Sequence, residues 1–147
     1  MRYEGKEVVL VMALKGAFIF VADLIRELRL PVQIESVHCS SYGSRGTKKG
    51  PLTIKGHETL ELKGKHVLVV DDIFDSGETL SRVIETLKAK EPQTINSLVL
   101  LTKEVPRSIH FSPDYSLFTI ADHFVVGYGL DYKEYYRGLP DIYRVEA

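Results

Sequence analysis

Residues 67–80 carry the densest group of side chains that could do chemistry. An apolar run, VLVV, leads to the adjacent carboxylates Asp71 and Asp72. Such a run predicts a strand buried on both faces of a parallel sheet, and ligands bind in the crevice at the carboxyl ends of such strands. The letters DSGET that follow at 75–79 predict a loop entering a helix, where free N–H groups and the positive end of the helix dipole share one point. The stretch therefore predicts an anion-binding site.

A structural alternative stays open at this stage, namely a strand and a capped helix with Asp71 and Asp72 merely solvated in the loop. A short glycine pattern is weak evidence by itself. The stretch contains neither Gly-x-Gly nor Gly-Lys-Ser/Thr. It is therefore neither a dinucleotide fingerprint nor a P-loop.

The composition excludes several classes of protein. Lys and Arg number 19 against 20 Asp and Glu, for a net charge of −1, without the positive charge typical of nucleic-acid binding. The single cysteine, Cys39, rules out an intrachain disulfide and favours a reducing cytoplasm. No apolar run has the length of a membrane span, no signal peptide is recognisable, and the histidines lack zinc-site spacing. We expect a cytoplasmic protein that binds neither nucleic acid nor membranes.

The hydrophobic pattern predicts one domain of 147 residues with alternating strands and helices. In chain order it predicts a strand at 7–13, a helix at 18–30, a strand at 32–39, a short ribbon at 51–62, the central strand, a helix at 78–90 and a strand at 94–101. Alternation of this kind implies an α/β fold with a doubly wound, mainly parallel sheet and flanking helices. We place the core at about 5–103 and a small C-terminal cap at about 104–147.

Two segments outside the regular pattern could cover a ligand. The loop at 40–50 is rich in Gly, Ser and Lys, and it is either an inert linker or a lid in which Tyr42 is the single aromatic residue. The tail carries short apolar pieces and, from Tyr128 onward, five of the eight tyrosines. It either closes the edge of the sheet or caps the ligand crevice.

Four separated signatures, in order, resemble the hypoxanthine-guanine phosphoribosyltransferases of the type I phosphoribosyltransferase family. They are LKG at 14–16, SYG at 41–43, VDDIFDSG at 70–77 and FVVGYGLDY at 124–132, with Tyr136-Arg137 and Leu139-Pro140 beyond. The resemblance covers about residues 5–143. Its tail is the most specific part, because it separates enzymes for 6-oxopurines from other branches of the family.

The resemblance implies transfer of a phosphoribosyl group from phosphoribosyl pyrophosphate to hypoxanthine and/or guanine, giving IMP or GMP and pyrophosphate. It implies Mg²⁺, held at Asp71, Asp72 and Asp131, since hard oxygen ligands suit this ion and it neutralises a leaving pyrophosphate. It assigns to phosphoribosyl pyrophosphate the two acids Asp71 and Asp72 together with Lys15, Gly16, Ser41, Tyr42, Asp75, Ser76, Gly77, Glu78, Thr79 and Arg137.

Within that set, the resemblance gives the backbone amides of 75–79 to the 5′-phosphate and the N–H groups of Lys15 and Gly16 to pyrophosphate. It also implies a cis peptide bond before Lys15, and it makes Arg137 a forked donor to pyrophosphate. Asp75 would take the proton from purine N7 as a general base. Its structural alternative is an N-cap carboxylate.

The purine side is assigned by the same resemblance. Lys103 would donate to the 6-oxygen, Phe124 would stack on the ring, the Val125 backbone would bind the purine edge, and Leu130 would form the opposite wall. Asp131 lies beside them. The alternative for Lys103 is a solvated lysine at the end of a strand.

The sequence departs from the family in lacking a segment that members usually carry before the first strand. We expect a second subunit to cover the corresponding surface, and hence a homo-oligomer, either a dimer or a tetramer. Two other functions stay open: a regulatory protein of the same fold that senses phosphoribosyl pyrophosphate, and an enzyme that prefers xanthine.

Overall fold

A computed structural model of the protein describes residue 3, residues 5–41 (Ser41 by its backbone alone) and residues 52–146. The elements in chain order are β1 (Val8–Leu14), α1 (Phe18–Leu28), β2 (Val32–Ser41), β3 (Leu52–Lys55), β4 (His66–Phe74), α2 (Glu78–Lys88), β5 (Thr94–Lys103), β6 (Tyr115–Ile120), β7 (Val125–Val126) and β8 (Tyr143–Arg144). Within these residues no helix is long and apolar enough to cross a membrane.

Six of the strands form one sheet in the order β3-β2-β1-β4-β5-β6, and β7 and β8 form a separate pair. The pairs β1–β2, β1–β4, β4–β5 and β5–β6 are parallel, whereas β3 runs antiparallel to β2. The chain order reverses between β1 and β4, and such a switch point opens a crevice at the carboxyl ends of the strands.

The interior lies on both faces of this sheet, because alternate residues of each strand point to opposite sides. Val8 and Leu10 of β1 belong to a buried cluster that includes Phe20 and Val21 of α1. Their neighbours Val9 and Val11 belong to the cluster that contains the apolar stripe of α2 (Leu80, Val83, Ile84 and Leu87). Each helix therefore covers one face, and the predicted doubly wound α/β fold is confirmed.

The ends of the elements differ from the predictions in a few places. Helix α1 stops at Leu28 because Arg29 adopts a left-handed φ of 51°, which caps the helix. Strand β2 continues to Ser41, since Ser40 and Ser41 pair with Thr53 and Leu52 of β3. The ribbon expected at 51–62 is thus one short strand at the sheet edge.

The largest difference is β6, a sixth strand in the segment assigned to the cap. Tyr115–Ile120 lies parallel to β5, with Lys103 opposite Ile120. The main sheet therefore extends beyond residue 103, and the β7–β8 pair with its turns forms the smaller unit that follows.

Candidate active site

A cavity of about 370 Å³ opens at the carboxyl ends of β1 and β4. The β1–β4 pairing ends at Met12 and Val70, so Asp71 and Asp72 lie just beyond the part of β4 that pairs with β1. The residues predicted to bind phosphoribosyl pyrophosphate or metal that line the cavity are Lys15, Gly16, Asp71, Asp72, Asp75, Ser76, Gly77, Thr79, Asp131 and Arg137. The fold thus brings together residues from four separated parts of the sequence.

The loop between β4 and α2 forms one wall of the cavity. Gly77 stands immediately before the helix with a φ of 85°, a conformation that glycine adopts without a steric cost. The Ser81 N–H donates to the Gly77 carbonyl at 3.1 Å, which begins the helical bonding. Amides at such a helix start can bind anions, and the binding of phosphate by this loop stays a prediction.

Glu78 differs from the other residues predicted in this loop. Its side chain is exposed and does not line the cavity. Its N–H donates to the Ser76 hydroxyl at 3.3 Å. The Glu78 carboxylate therefore lies outside the anion site. Its position in the first turn of α2 suits a negative charge, because the helix dipole is positive at that end.

Asp71 and Asp72 form a tightly coupled pair of acids. The Asp72 N–H donates to Asp71 Oδ1 at 2.8 Å, and the Ile73 N–H donates to Asp72 Oδ1 at 2.8 Å. Asp71 is only 7% exposed. Its removal from water raises the pKa of its carboxyl well above the usual range, and the neighbouring Asp72 acts in the same direction. The pair therefore favours a positively charged or hydrogen-bonding ligand.

The Lys15–Gly16 turn packs directly against this pair. The peptide bond between Leu14 and Lys15 is cis, as the family resemblance implied. A Cβ added to Gly16 would overlap the Asp72 carboxylate. Any larger residue would therefore force the Asp72 carboxylate to move, and the turn and the acids share one wall of the cavity.

Charged residues of the turn after Leu130 close the other side. Arg137 donates to the Gly129 carbonyl at 2.8 Å and to Glu134 at 3.1 Å, and it lies 3.6 Å from Asp131. Glu134 also accepts from Lys15 Nζ at 3.0 Å, and the Lys15 bond is the largest cause of the lowered pKa of Glu134. The side chains of Lys15 and Arg137 thus donate to one carboxylate, that of Glu134.

Lys103 lies at the end of β5 and is 9% exposed. Its Nζ is 3.1 Å from Asp75 Oδ2 and 3.8 Å from Asp122 Oδ1. The alternative of a solvated strand-end lysine is therefore wrong: the side chain is buried and directed at the carboxylate predicted to be the general base.

The remaining purine-side residues lie in the cap. Phe124 is half exposed and contacts Tyr132 edge to face, with centroids 5.7 Å apart. Val125 pairs with Arg144 in the β7–β8 ribbon. Leu130 is 6% exposed and packs in the core cluster on the α1 face of the sheet. Its side chain therefore anchors the cap to this core. Phe124, Val125 and Leu130 do not line the cavity with the acids, whereas Asp131, also assigned to the purine side, does. The predicted roles of all four stay predictions.

Other residues at the site were not predicted. Cys39 lines the cavity, and burial raises the pKa of its thiol to about 12, with a further rise from the charge of Asp71. Glu134 and Arg107 contact predicted residues through long-range bonds that no local pattern indicates. Tyr42 lies outside the described residues, as does the side chain of Ser41.

An open parallel sheet with an anion loop after its central strand defines a class of α/β proteins that bind phosphorylated ligands. Within that class, the phosphoribosyl transferase domain family matches residues 1–133 of the chain. The hypoxanthine-guanine phosphoribosyltransferase of Streptococcus pneumoniae is 41% identical over 140 residues, covering 95% of this chain and 78% of the relative. The hypoxanthine phosphoribosyltransferase of Escherichia coli is 41% identical over 141 residues, covering 96% and 79%.

Among solved structures, the chain resembles a hypoxanthine phosphoribosyltransferase from Staphylococcus aureus with a TM-score of 0.90 and 36% identity. The similarity covers 99% of this chain and 79% of that one. The chain belongs to the phosphoribosyl transferase family. The family resemblance, the fold class and the prediction of an enzyme are thereby confirmed.

Proposed function

We propose that this phosphoribosyltransferase catalyses the Mg²⁺-dependent transfer of the phosphoribosyl group of phosphoribosyl pyrophosphate to a 6-oxopurine, hypoxanthine and/or guanine, giving IMP or GMP. The observation that carries the proposal is the contact of Lys103 Nζ with Asp75 Oδ2 at 3.1 Å. The relatives in Streptococcus pneumoniae and Escherichia coli bear names of the same activity.

The pair matches one edge of a 6-oxopurine, on which the 6-oxygen and N7 are neighbouring atoms. A lysine ammonium has three donors and no acceptor, so Lys103 suits a carbonyl oxygen and opposes the amino group of adenine. Asp75 accepts a hydrogen bond, as the N–H at position 7 requires. A carboxylate in this place can remove the N7 proton while N9 attacks the sugar, a contribution of about 10²–10⁴-fold.

The ribose 5′-phosphate fits the loop at 75–79 for a geometric reason. Ser76, Gly77 and Thr79 line the cavity, and α2 directs its positive end to the same place. Backbone donors fixed before the ligand arrives do not need to reorganise during the reaction. Asp71 and Asp72, beside them, suit the ribose hydroxyls as hydrogen-bond acceptors.

The leaving pyrophosphate requires positive charge and donors on the opposite side. Arg137 and the Lys15–Gly16 turn line the same cavity, and a guanidinium binds phosphate oxygens through two parallel bonds. Arg137 Nη2 already donates to the Glu134 carboxylate, which also accepts from the Lys15 side chain. We infer that pyrophosphate competes with Glu134 for Arg137, while the Lys15 and Gly16 backbone N–H groups bind the ligand independently of that carboxylate.

The donors present also fit magnesium. The described residues contain no group of three or more side chains that could hold a metal ion by themselves. Magnesium at phosphate-transfer sites is generally held by one or two carboxylates, waters and the phosphates of the substrate, and Asp71, Asp72 and Asp131 line the cavity. When bound, Mg²⁺ would neutralise the departing pyrophosphate.

A steady-state assay tests the proposal. The purified chain is incubated with phosphoribosyl pyrophosphate, Mg²⁺ and, in turn, hypoxanthine, guanine, xanthine or adenine, and the nucleotide is separated and quantified. We expect IMP or GMP and no product from adenine. Asp75→Asn should lower kcat by roughly 10²-fold or more and leave phosphoribosyl pyrophosphate binding intact, because the loop amides are unchanged.

Three outcomes would contradict the proposal. Binding of phosphoribosyl pyrophosphate without transfer to any purine would favour a regulatory protein that senses this ligand. A higher kcat/KM for xanthine than for hypoxanthine or guanine would favour an enzyme that prefers xanthine. An unchanged kcat in Asp75→Asn would mean that Asp75 is only a cap. Chelation with EDTA should abolish the product and added Mg²⁺ should restore it.

We also propose that the chain acts in the cytoplasm as a homo-oligomer. The oligomer is supported by large apolar side chains at the surface, among them Leu117 at 49% and Phe118 at 61% exposure on the edge strand β6. Surfaces of this kind are often covered by another subunit. Sedimentation velocity at micromolar concentration tests it, and a fully active monomer would contradict it.

A further inference from the structure

Arg107 lies in the loop after β5 and binds backbone atoms of two separate segments. Its Nε donates to the Asp75 carbonyl at 2.6 Å, and its Nη2 donates to the Phe74 carbonyl at 3.2 Å. The same Nη2 also donates to the carbonyl of Lys103. The guanidinium carbon lies 4.5 Å from the centroid of the Phe74 ring, so the planar group is held by three carbonyls and one aromatic face.

Two of these three carbonyls belong to Asp75 and Lys103, the residues on which the proposed purine recognition depends. Asp75 begins the anion loop after β4, and Lys103 ends β5. Their side chains meet at 3.1 Å, while Arg107 joins their main chains. A planar fork with several donors can hold both at once, whereas the ammonium of a lysine has no such fixed geometry.

The bond to the Asp75 carbonyl also orients the next amide. In a trans peptide unit the C=O and N–H groups point in opposite directions. Because Arg107 holds the C=O of Asp75, the N–H of Ser76 points away from Arg107, and Ser76 lines the cavity. The same contact therefore sets the general base and one donor of the phosphate cradle.

The three oxygen partners of Arg107 are backbone carbonyls, which are present whatever side chains those residues carry. Arg107 is thus a fixed link between the end of β5 and the anion loop.

We propose that Arg107 is a positioning residue, which holds Asp75 and Lys103 at the separation that purine N7 and the 6-oxygen require. It acts on the reaction through these two residues without touching the substrate. The proposal rests on the proposed function of Asp75 and Lys103.

Kinetics of Arg107→Met and Arg107→Lys test it, with Arg144→Lys as the matched control, because Arg144 forms an exposed ion pair with Glu146. In Arg107→Met we expect kcat to fall by about tenfold or more and the KM of the purine to rise more than that of phosphoribosyl pyrophosphate. Arg107→Lys should recover only part of this loss. Arg144→Lys should keep the wild-type values.

A mutant cycle separates positioning from a general structural role. If Arg107 acts through Asp75 and Lys103, Arg107→Met in a background that carries both Asp75→Asn and Lys103→Met should lower kcat by less than about threefold, because residues that act as a unit are not additive. A further tenfold loss in that background, or equal kinetics in Arg107→Met and the wild type, would overturn the proposal.

Backbone ¹⁵N relaxation gives a readout that needs no activity. In Arg107→Met the order parameters at Asp75 and Ser76 should fall from about 0.85 toward 0.6 or lower, with those of the strands β1 and β4 unchanged. Unchanged values at both residues would refute the positioning role. If the wild type transfers phosphoribose to no 6-oxopurine, the proposed function fails, and this comparison still decides whether Arg107 fixes the loop.

Discussion

Replacement of Gly77 by alanine tests how the phosphate loop is packed. Gly77 has a φ of 85°, and a Cβ added there would lie 2.8 Å from Cζ and 3.0 Å from Cε1 of Phe74. The Phe74 ring is 2% exposed. It packs against Phe111, with centroids 6.0 Å apart, and under the guanidinium of Arg107. The ring has little room to move away from a new methyl group.

The expected cost has two parts. A left-handed conformation costs a non-glycine residue about 1–2 kcal/mol, and an extra methyl group in a packed region costs about 1–3 kcal/mol. Gly77→Ala should therefore lower the free energy of unfolding by about 2–5 kcal/mol. For a chain of this length the melting temperature falls by about 2–4 °C per kcal/mol, so a decrease between about 4 and 20 °C is expected.

Two other glycines provide matched controls. Gly64 has a φ of 73° and nothing within 4 Å of an added Cβ, so Gly64→Ala should show the backbone cost alone, about 1–2 kcal/mol. Gly138 also has open space and no left-handed φ, and Gly138→Ala should leave the melting temperature unchanged. Phe74→Leu should reduce the additional loss caused by Gly77→Ala, because it removes the ring that the methyl group meets.

Thermal unfolding by circular dichroism measures the series, and calorimetric titration measures phosphoribosyl pyrophosphate binding. Gly77→Ala should bind the ligand more weakly than Gly64→Ala, since only the former displaces the loop amides. If Gly77→Ala and Gly64→Ala have the same melting temperature, the contact with Phe74 carries no steric cost and the reasoning is wrong. The same conclusion would follow if Gly77→Ala lowered the melting temperature by as much in the Phe74→Leu background as in the wild type.

Three further predictions concern electrostatics. With a pKa of about 12, Cys39 should react with iodoacetamide at a rate that still rises at pH 10, measured by mass spectrometry. The Tyr128 hydroxyl donates to Asp23 at 2.5 Å, and burial is the main cause that raises its pKa from 10.0 to about 12. The resulting stabilisation is complete below pH 10 and is lost as the pH rises through about 12, so the difference in melting temperature between wild type and Tyr128→Phe should shrink across that window. Glu134→Gln should tighten pyrophosphate binding to Arg137 by no more than about fivefold, measured by calorimetry.

Different results would contradict each of these. A Cys39 rate that is half-maximal near pH 8.5 and level by about pH 10 would show an ordinary thiol. A constant Tyr128→Phe difference up to pH 12 would show that the hydroxyl does not ionise in this window. Weaker pyrophosphate binding in Glu134→Gln would mean that the carboxylate supports the ligand, with Glu134→Asp as the charge-conserving control.

The sequence was sufficient to predict the parts of the fold with strong periodicity. Strand β4 and the apolar stripe of α2 follow from local patterns, since an unbroken apolar run and a helical spacing have few other solutions. Strand β6 was not predicted because its side chains are mostly exposed on both faces, so it shows neither a buried run nor a clear alternation. Its place in the sheet comes from pairing with β5, a contact between distant segments.

The candidate site also contains parts that local sequence patterns predict and parts that depend on contacts between distant segments. The acids and the loop at 71–79 are adjacent in sequence and were predicted as a unit, and the structure adds the buried state of Asp71. The bond between Lys15 and Glu134, which also links Lys15 to Arg137, joins residues 119 positions apart and depends on how the cap turn docks on the sheet. No property of Glu134 in its local sequence distinguishes it from a solvated acid.

Arg107 shows why some site residues escape sequence reasoning even beside a recognised motif. Its hydrogen-bond partners are the carbonyls of Phe74, Asp75 and Lys103, and every residue type has a carbonyl. The identities of the partner residues therefore carry no trace of the bonds, and replacing those side chains would leave the acceptors in place. Only the donor is specific, because three carbonyls arranged around one plane need a fork of several N–H groups. A position of this kind is found by tracing which donor satisfies each backbone acceptor at the site.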